Sequence, residues 1–481
     1  MSLRNEKLMI VNAPPPVGTK CVTAPWDGAE LAVIETAGRE HVEAGLTIAH
    51  RLYLDRDNWL LLDERVAILE RTAALMAEHK EALIRETTAE GGKPLQDTEV
   101  EVIRAIDGVR ICIETIRAEQ GEVVPMGGTA ASRNRVAFTR REPIGVVVAV
   151  SAFNHPLNLI VHQVAAAVAA GCPVIVKPAD DTPLACIRFV QLLHEAGLPP
   201  AWCQVVIASD LQVAESLVTD KRVAFFSFIG SARVGWMLRS KLAPGTRCAL
   251  EHGGAAPLLL AADADLKRAV PAVAKGGFYH AGQVCVSVQR VFAHSSLARQ
   301  FAEQLAQSAA QLKVGDPLDA ATEVGPLIRP AELQRVHEWV QEAVAAGAEK
   351  LCGGELIGES CYAPTVLVNP PGHVSVSQKE IFGPVVCVYS YDDIDAAIAQ
   401  ANGLPYAFQA AIFTADIDTA LHAFSRLDAS AVMVNDHTAF RVDAMPFAGL
   451  RESGLGVGGI PHTIRDMSIE KLLVVQSPGI K

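Results

Sequence analysis

From Ile144 onward the chain repeats one pattern: a short, almost wholly apolar run, a turn, then a stretch with helical spacing. The runs at 144–150, 174–176, 204–207 and 223–228 are bounded by Gly, Pro or polar residues. A strand with one wet face alternates apolar and polar side chains, and these do not. Uninterrupted apolar runs suit strands buried on both faces, and parallel neighbours need crossovers long enough to hold a helix. The pattern predicts an α/β fold built on a parallel sheet with helices packed against it. The stretch 143–176 has no Asp, Glu, Lys or Arg, yet Asn154, Pro156, Asn158, His162, Gln163 and Pro173 interrupt it. Those polar groups and prolines sit badly in a lipid-facing helix. The stretch therefore reads as strand, tight turn, buried helix, strand.

Upstream, Val66, Leu69, Ala73 and Met76 recur at helical intervals among Arg65, Glu70 and Arg71, so 61–90 is expected to be amphipathic helix, and 97–120 continues in that style. Residues 121–141 change character, from a Gly- and Pro-containing start to the alternating run at 135–140. They predict an extended hairpin that packs on another element or another subunit. After Gly253 a second α/β pattern begins, with a helix at 266–278, a strand at 286–293 and a helix at 297–312. A β-like run at 469–475 follows the glycine-rich 454–459. No internal repeat or low-complexity linker separates these parts.

At 481 residues the chain has room for two or three domains. Its 42 basic and 54 acidic residues give −12, which argues against general affinity for nucleic acid or anionic membrane. The 10 cysteines form no C-x-x-C pair and no zinc-ligand spacing, so no metal site is expected and reduced cytoplasmic thiols are the simpler reading. The polar start Met-Ser-Leu-Arg-Asn-Glu-Lys carries no apolar segment of the secretory type.

Chemistry concentrates at two glycine-flanked blocks. Glu251-His252-Gly253-Gly254 lies 34 positions before Cys285, which ends Gly282-Gln283-Val284-Cys285. A nucleophilic thiol needs space for a substrate carbonyl, expected from Gly282, and a base to activate water, expected from Glu251.

Five further blocks accompany these two, and the seven together resemble the aldehyde dehydrogenase family over nearly the whole chain. They are Ser151-Ala-Phe-Asn-His-Pro156, Lys177-Pro-Ala-Asp180, Gly230-Ser-Ala-Arg-Val-Gly235, Glu380-Ile-Phe-Gly-Pro384 and Pro446-Phe-Ala-Gly-Leu-Arg-Glu-Ser-Gly454. The resemblance implies a Rossmann-type dinucleotide domain, an α/β catalytic domain and a β oligomerisation arm. This sequence offers 1–120 and 142–252, 253–445, and 121–141 with 460–481 for those three parts. A homodimer or homotetramer is implied.

Roles follow residue by residue. Cys285 is the implied nucleophile: its thiolate attacks an aldehyde, hydride passes to a nicotinamide, and a thioester remains for Glu251-activated water. Asn154, on the turn after a buried strand, is the implied oxyanion donor together with the Cys285 backbone N–H; one such donor is worth about 2.7–4 kcal/mol. Gly230 and Ser231 open a helix where a pyrophosphate approaches, although the family usually has Thr where this chain has Ile229. Lys177 and Asp180 are expected at the adenine ribose, and an acid there repels a 2′-phosphate. NAD is thus favoured, with NADP possible. Glu380, with Phe382 beside it, is expected at the nicotinamide ribose, and Phe153 is a further cofactor-binding candidate.

Asn435-Asp-His-Thr-Ala-Phe-Arg-Val-Asp-Ala-Met-Pro446 resembles the branch acting on small polar or anionic aldehydes: lactaldehyde, glyceraldehyde 3-phosphate and phosphonoacetaldehyde. Arg104, His155 and Arg441 are its candidate substrate residues, the two arginines as a clamp for an anionic tail. Against a strongly anionic substrate, Val284 stands where phosphonate- and phosphosugar-oxidising members often have Arg. The alternatives are a coenzyme A-acylating relative, which generally lacks the base that Glu251 provides, and a catalytically silent member of the fold.

Overall fold

The structure, a computed structural model, describes residues 3–480. Its first large sheet orders the strands Gly454–Leu455, Arg247–Glu251, Val223–Ile229, Val146–Val150, Val174–Lys177 and Cys203–Val205. Only the Gly454–Leu455 pairing is antiparallel; every other ladder in this sheet is parallel. Val146, Val147, Val148 and Ala149 have no exposed surface, the burial on both faces that an unalternating run requires.

Strand order reverses at Val146–Val150, which lies between its successor Val174–Lys177 and the later Val223–Ile229. Connections leave such a point towards opposite faces and open a crevice at the carboxyl ends of the strands. Asn154, Lys177, Gly230 and Glu251 all lie at that edge, each at or just after the end of its strand. Gln163 ties the reversal together: its Nε2 donates to the Val150 carbonyl (3.2 Å) and to Ser227 Oγ (3.0 Å) on the neighbouring strand. The buried helix carrying Gln163 widens into a π-helical turn over Val161–Ala165, a local form that often marks functional segments.

The second large sheet runs Glu349–Cys352, Thr365–Val368, Val385–Tyr391, Val288–His294, Ala256–Leu260, Gln409–Phe413, Ala431–Val434. It is parallel except where Glu349–Cys352 pairs with Thr365–Val368. Each large sheet has its own apolar core, and the crevice lies where loops from both sheets face one another.

The helix expected at 61–90 is two helices, Leu62–Glu78 and Lys80–Gly91, with His79 outside helical geometry between them. No Gly or Pro marks that break, so it answers to packing. A small sheet, Arg4–Glu6 with Glu30–Thr36 and Gly18–Thr23, precedes these helices. The segment from 121 becomes Val123–Val124 and Arg135–Pro143, and Ser468–Gln476 pairs antiparallel along the whole second strand. On this three-stranded arm Phe138, Leu472, Leu473, Val474 and Val475 are all about half exposed. Among the described residues no helix is long and apolar enough to cross a membrane.

Candidate active site

Asn154 is buried on the turn after Val146–Val150, and its Nδ2 donates to the Gln283 carbonyl at 3.0 Å. An amide nitrogen carries two hydrogens, so this bond aims the group and leaves the second hydrogen for a substrate oxygen. Gln283 is itself clamped. Its Nε2 donates to the carbonyls of His280 (3.3 Å) and Pro326 (3.2 Å), and its Oε1 accepts from the Ile328 N–H at 3.0 Å. Cys285 follows two residues later, with its own backbone N–H close to its sulfur.

The loop before Cys285 is unusual backbone. His280, Ala281 and Gly282 have φ of 47°, 53° and 69°, three left-handed residues in succession. A Cβ on Gly282 would lie 2.1 Å from the Gly383 carbonyl oxygen. Glycine is thus required there by the close approach of the Glu380 loop, a different reason from the substrate space expected of it.

Glu251 ends the strand Arg247–Glu251, paired with Ile229 on one side and Gly454 on the other. A Cβ on Gly458 would meet its Oε1 at 2.1 Å, so the glycine-rich 454–459 segment makes room for this carboxylate. Cys285, Glu251 and Glu380 each keep some accessible surface while lying deep in the protein. Burial pushes the Cys285 thiol up to about 12; Arg441 pulls it down, whereas Glu380 and Glu251 push it further up. Burial also raises Glu251, again opposed by Arg441. A thiol so placed is protonated at neutral pH, and a carboxylate raised above its usual range is better matched to accepting a proton from water.

Among the described residues Arg441 has no carboxylate within salt-bridge distance. Its guanidinium carbon lies 3.5 Å from the centre of the Phe447 ring, Nη2 is 3.5 Å from His162 Nδ1, and the buried Nε has no partner. Arg104 is differently placed: Nε (3.0 Å) and Nη2 (2.7 Å) both donate to Asp443. Asp443 Oδ1 also accepts from Asn158 Nδ2 (3.1 Å) and lies 2.7 Å from His162 Nε2. The two arginines are therefore brought to one cluster, but Asp443 occupies one edge of Arg104 while Arg441 stays unpaired. His155 Nε2 lies 3.1 Å from the Tyr279 hydroxyl, and burial holds its imidazole well below the usual range. Tyr279 and Cys285 pack on the apolar group Val284, Val286, Phe408 and Phe447, so Val284 belongs to an apolar wall.

On the cofactor side the residues present fit a dinucleotide. Ser231 precedes the helix Ala232–Arg239 and makes no side-chain capping bond, which leaves first-turn N–H groups for a phosphate. Glu380 Oε1 accepts from the Gly254 N–H at 3.1 Å, and a Cβ on Gly253 would collide with that carboxylate. Burial lifts the Glu380 carboxyl to about 8. Phe153 and Phe382 meet edge to face with ring centres 5.8 Å apart, each half-buried across the crevice. Lys177 Nζ lies 2.7 Å from Asp180 Oδ1, and Lys20 approaches the same carboxylate from the N-terminal sheet at 4.0 Å.

Several contributors escaped the sequence reading. Lys20, Asp443, His162, Tyr279, Gly253 and Gly458 act across long separations; Asp443, His162 and the two glycines stood inside segments already noticed, with no local sign of these contacts. Among the described residues no group of three His, Cys, Asp or Glu is arranged to hold a metal.

A two-sheet α/β fold with a crevice at the carboxyl ends of its parallel strands is the architecture of a nucleotide-dependent enzyme. The profile of the aldehyde dehydrogenase family matches residues 16–473, and the chain belongs to that family. It is an NAD(P)-dependent oxidoreductase acting on aldehydes. A 3-sulfolactaldehyde dehydrogenase of Priestia aryabhattai is 38% identical over 412 residues, 86% of either chain. Aldehyde dehydrogenase 21 from Physcomitrella patens, solved with the product succinate, superposes with a TM-score of 0.95 at 31% identity over 100% of both chains. The glyceraldehyde-3-phosphate dehydrogenase GapN of Methanocaldococcus jannaschii, solved with NADP, gives 0.91 at 32% identity, covering 96% of this chain and 100% of that one.

Proposed function

We propose that this enzyme oxidises a small aldehyde bearing an anionic tail to its carboxylic acid, with Arg441 as the principal tail ligand. The observation that carries this is the unpaired Arg441 guanidinium, stacked on Phe447 in the cluster that also holds Cys285. A buried cation without a partner is costly, and a carboxylate, sulfonate or phosphate supplies one. Arg104 assists through Nη1, the nitrogen that Asp443 does not engage. The relatives named for sulfolactaldehyde and for succinate support the same class.

In this reading the Cys285 thiol, which keeps some accessible surface, gives its proton to solvent water, its sulfur bonds to the aldehyde carbon, and the carbonyl π pair moves to the oxygen, which takes negative charge between Asn154 Nδ2 and the Cys285 N–H. A dinucleotide held at this end by Glu380, Phe153 and Phe382 would supply the acceptor for the hydride that leaves that carbon as the oxyanion collapses to the thioester carbonyl. Glu251 then takes a proton from water as its oxygen attacks the thioester, the C–S bond breaks, and acid and thiol are released. Ser231, Lys177, Asp180, Glu380, Phe153 and Phe382 would hold the dinucleotide, with NAD preferred because Asp180 stands at the ribose. The first sheet serves the cofactor, the second carries the nucleophile, and the apolar arm joins copies into a homodimer or homotetramer in the cytoplasm. Light scattering on a Leu473→Glu variant tests the arm: an unchanged mass would remove it from the interface.

An aldehyde panel tests the substrate class with both NAD and NADP. Sulfolactaldehyde, succinic semialdehyde and phosphonoacetaldehyde should exceed lactaldehyde and propanal in kcat/KM, with free acid as product. Preference for the neutral aldehydes would overturn it.

A further inference from the structure

Two residues buried beneath the Asn154 turn have no part in the chemistry described so far. Lys93, in the link between the helices Lys80–Gly91 and Leu95–Ala118, meets Glu101 at 2.5 Å, and their side chains are 1% and 0% exposed. Glu101 Oε2 faces Lys93, while Oε1 accepts from the backbone N–H groups of Leu157 (3.0 Å) and Asn158 (3.1 Å). Those amides lie three and four residues after Asn154, beyond the rigid Pro156, at the start of the buried helix.

We propose that Glu101, paired with Lys93, is a positioning residue that sets the Asn154 carboxamide against the substrate oxygen. This rests on the reading of Asn154 as the oxyanion donor. The turn is fixed at three successive places: Asn154 on the Gln283 carbonyl, His155 on the Tyr279 hydroxyl, and the following amides on Glu101. The first two contacts tie it to the nucleophile loop; Glu101 ties its far end to the scaffold behind, beside a longer contact from the Thr182 hydroxyl to the Phe153 carbonyl (3.5 Å). Without that acceptor two helix-start N–H groups are orphaned in a dry interior, and the turn drifts with the loop it is meant to face. Lys93 supplies the charge balance, because a lone carboxylate there would be strongly disfavoured.

A double-mutant cycle with Asn154→Ala separates positioning from bulk stability. Lys93→Met/Glu101→Gln removes both charges but keeps the acceptor oxygen; Lys93→Met/Glu101→Leu removes both charges and the acceptor. The readout is the first-turnover rate of NADH formation at saturating aldehyde and NAD, below the thermal transition of every variant. With Asn154 present, the Gln pair should stay within a few-fold of the parent and the Leu pair should fall by roughly a hundredfold, as an ångström of misplacement does. In Asn154→Ala, itself slower by roughly 10²–10³-fold, the two pairs should be indistinguishable. Glu101→Asp, still charged but too short to reach the amides, gives the same comparison if the Leu pair does not fold. Equal slowing in both backgrounds would overturn the positioning role while leaving Asn154 in place. An unchanged rate in Asn154→Ala alone would overturn the oxyanion assignment, and the inference with it.

Discussion

Replacing Arg441 by Met keeps an unbranched side chain on the Phe447 ring and removes the only unpaired cation described near Cys285. For an anionic aldehyde the lost partner leaves a charge in a partly buried site, which costs roughly 2–5 kcal/mol. The lower part of that range applies, because Arg104 keeps Nη1 free and its side chain is 24% exposed, so the site is not sealed from solvent. About 2–3 kcal/mol corresponds to a loss of roughly 30- to 150-fold in kcat/KM. A neutral aldehyde of equal size loses none of this. It meets a different effect, since Arg441 favours the charged forms of both Glu251 and Cys285. Removing the cation raises both groups further, so the acid limb of the pH–rate profile moves to higher pH. The assay is kcat/KM from pH 6 to 9.5 for succinic semialdehyde and butanal. Because the thiol stays largely protonated over this range, the neutral substrate should fall by one nearly constant factor and the anionic one by roughly a further 30- to 150-fold. Equal losses for both substrates would refute the placement of Arg441.

Glu251→Gln should retain the first turnover, seen as a burst of NADH, while the steady-state rate collapses; loss of burst and steady state together would move Glu251 to an earlier step. Asp180→Ser leaves Lys177 and Lys20 without their shared carboxylate; with that edge facing the ribose, as proposed, the ratio of kcat/KM for NADP over NAD should rise, and an unchanged ratio would place Asp180 elsewhere. Asp443→Asn strands Arg104 and should cost about 3 kcal/mol of stability, the low end for breaking a buried pair, measured by urea unfolding at pH 7. Burial pushes the Asp443 carboxyl up, but His162 and Arg104 more than offset this and hold it well below the usual range. Its stabilisation is therefore present above the unfolded carboxylate pKa and fades as pH falls through the depressed folded value. The gap between parent and variant should narrow towards strong acid, and a constant gap would contradict the ion pair.

What the sequence disclosed was local. The strands at 146–150, 174–177 and 223–229 were legible because burial on both faces removes polar alternation within a few residues. Cys285, Glu251 and Glu380 were legible because each sits in a block where short-range backbone demands and chemistry coincide. Asp443 was not, although it lies two residues from Arg441: its partners Arg104, Asn158 and His162 are hundreds of positions away, and an acid on a loop has no local mark of a distant arginine. The same holds for Gly253 and Gly458, whose missing side chains are explained by Glu380 and Glu251 pressing on them from elsewhere in the chain. The break at His79 carries no turn residue, and in the N-terminal sheet Gly18–Thr23 is mostly exposed while the residues Leu-Ala-Val-Ile at 31–34 show no polar alternation despite their alternating burial. Both are settled by packing, which no window of sequence contains.

Whether the aldehyde is carried on Cys285 is decided by single-turnover NADH formation in Cys285→Ala under saturating NAD and aldehyde, with NAD binding verified by fluorescence titration on the same sample. No NADH should form above background at any pH while NAD binds as in the parent, because the thiol makes the covalent bond and holds no part of the dinucleotide. NADH formation within tenfold of the parent rate would show that another group receives the aldehyde and that the Cys285 site is not where the reaction occurs.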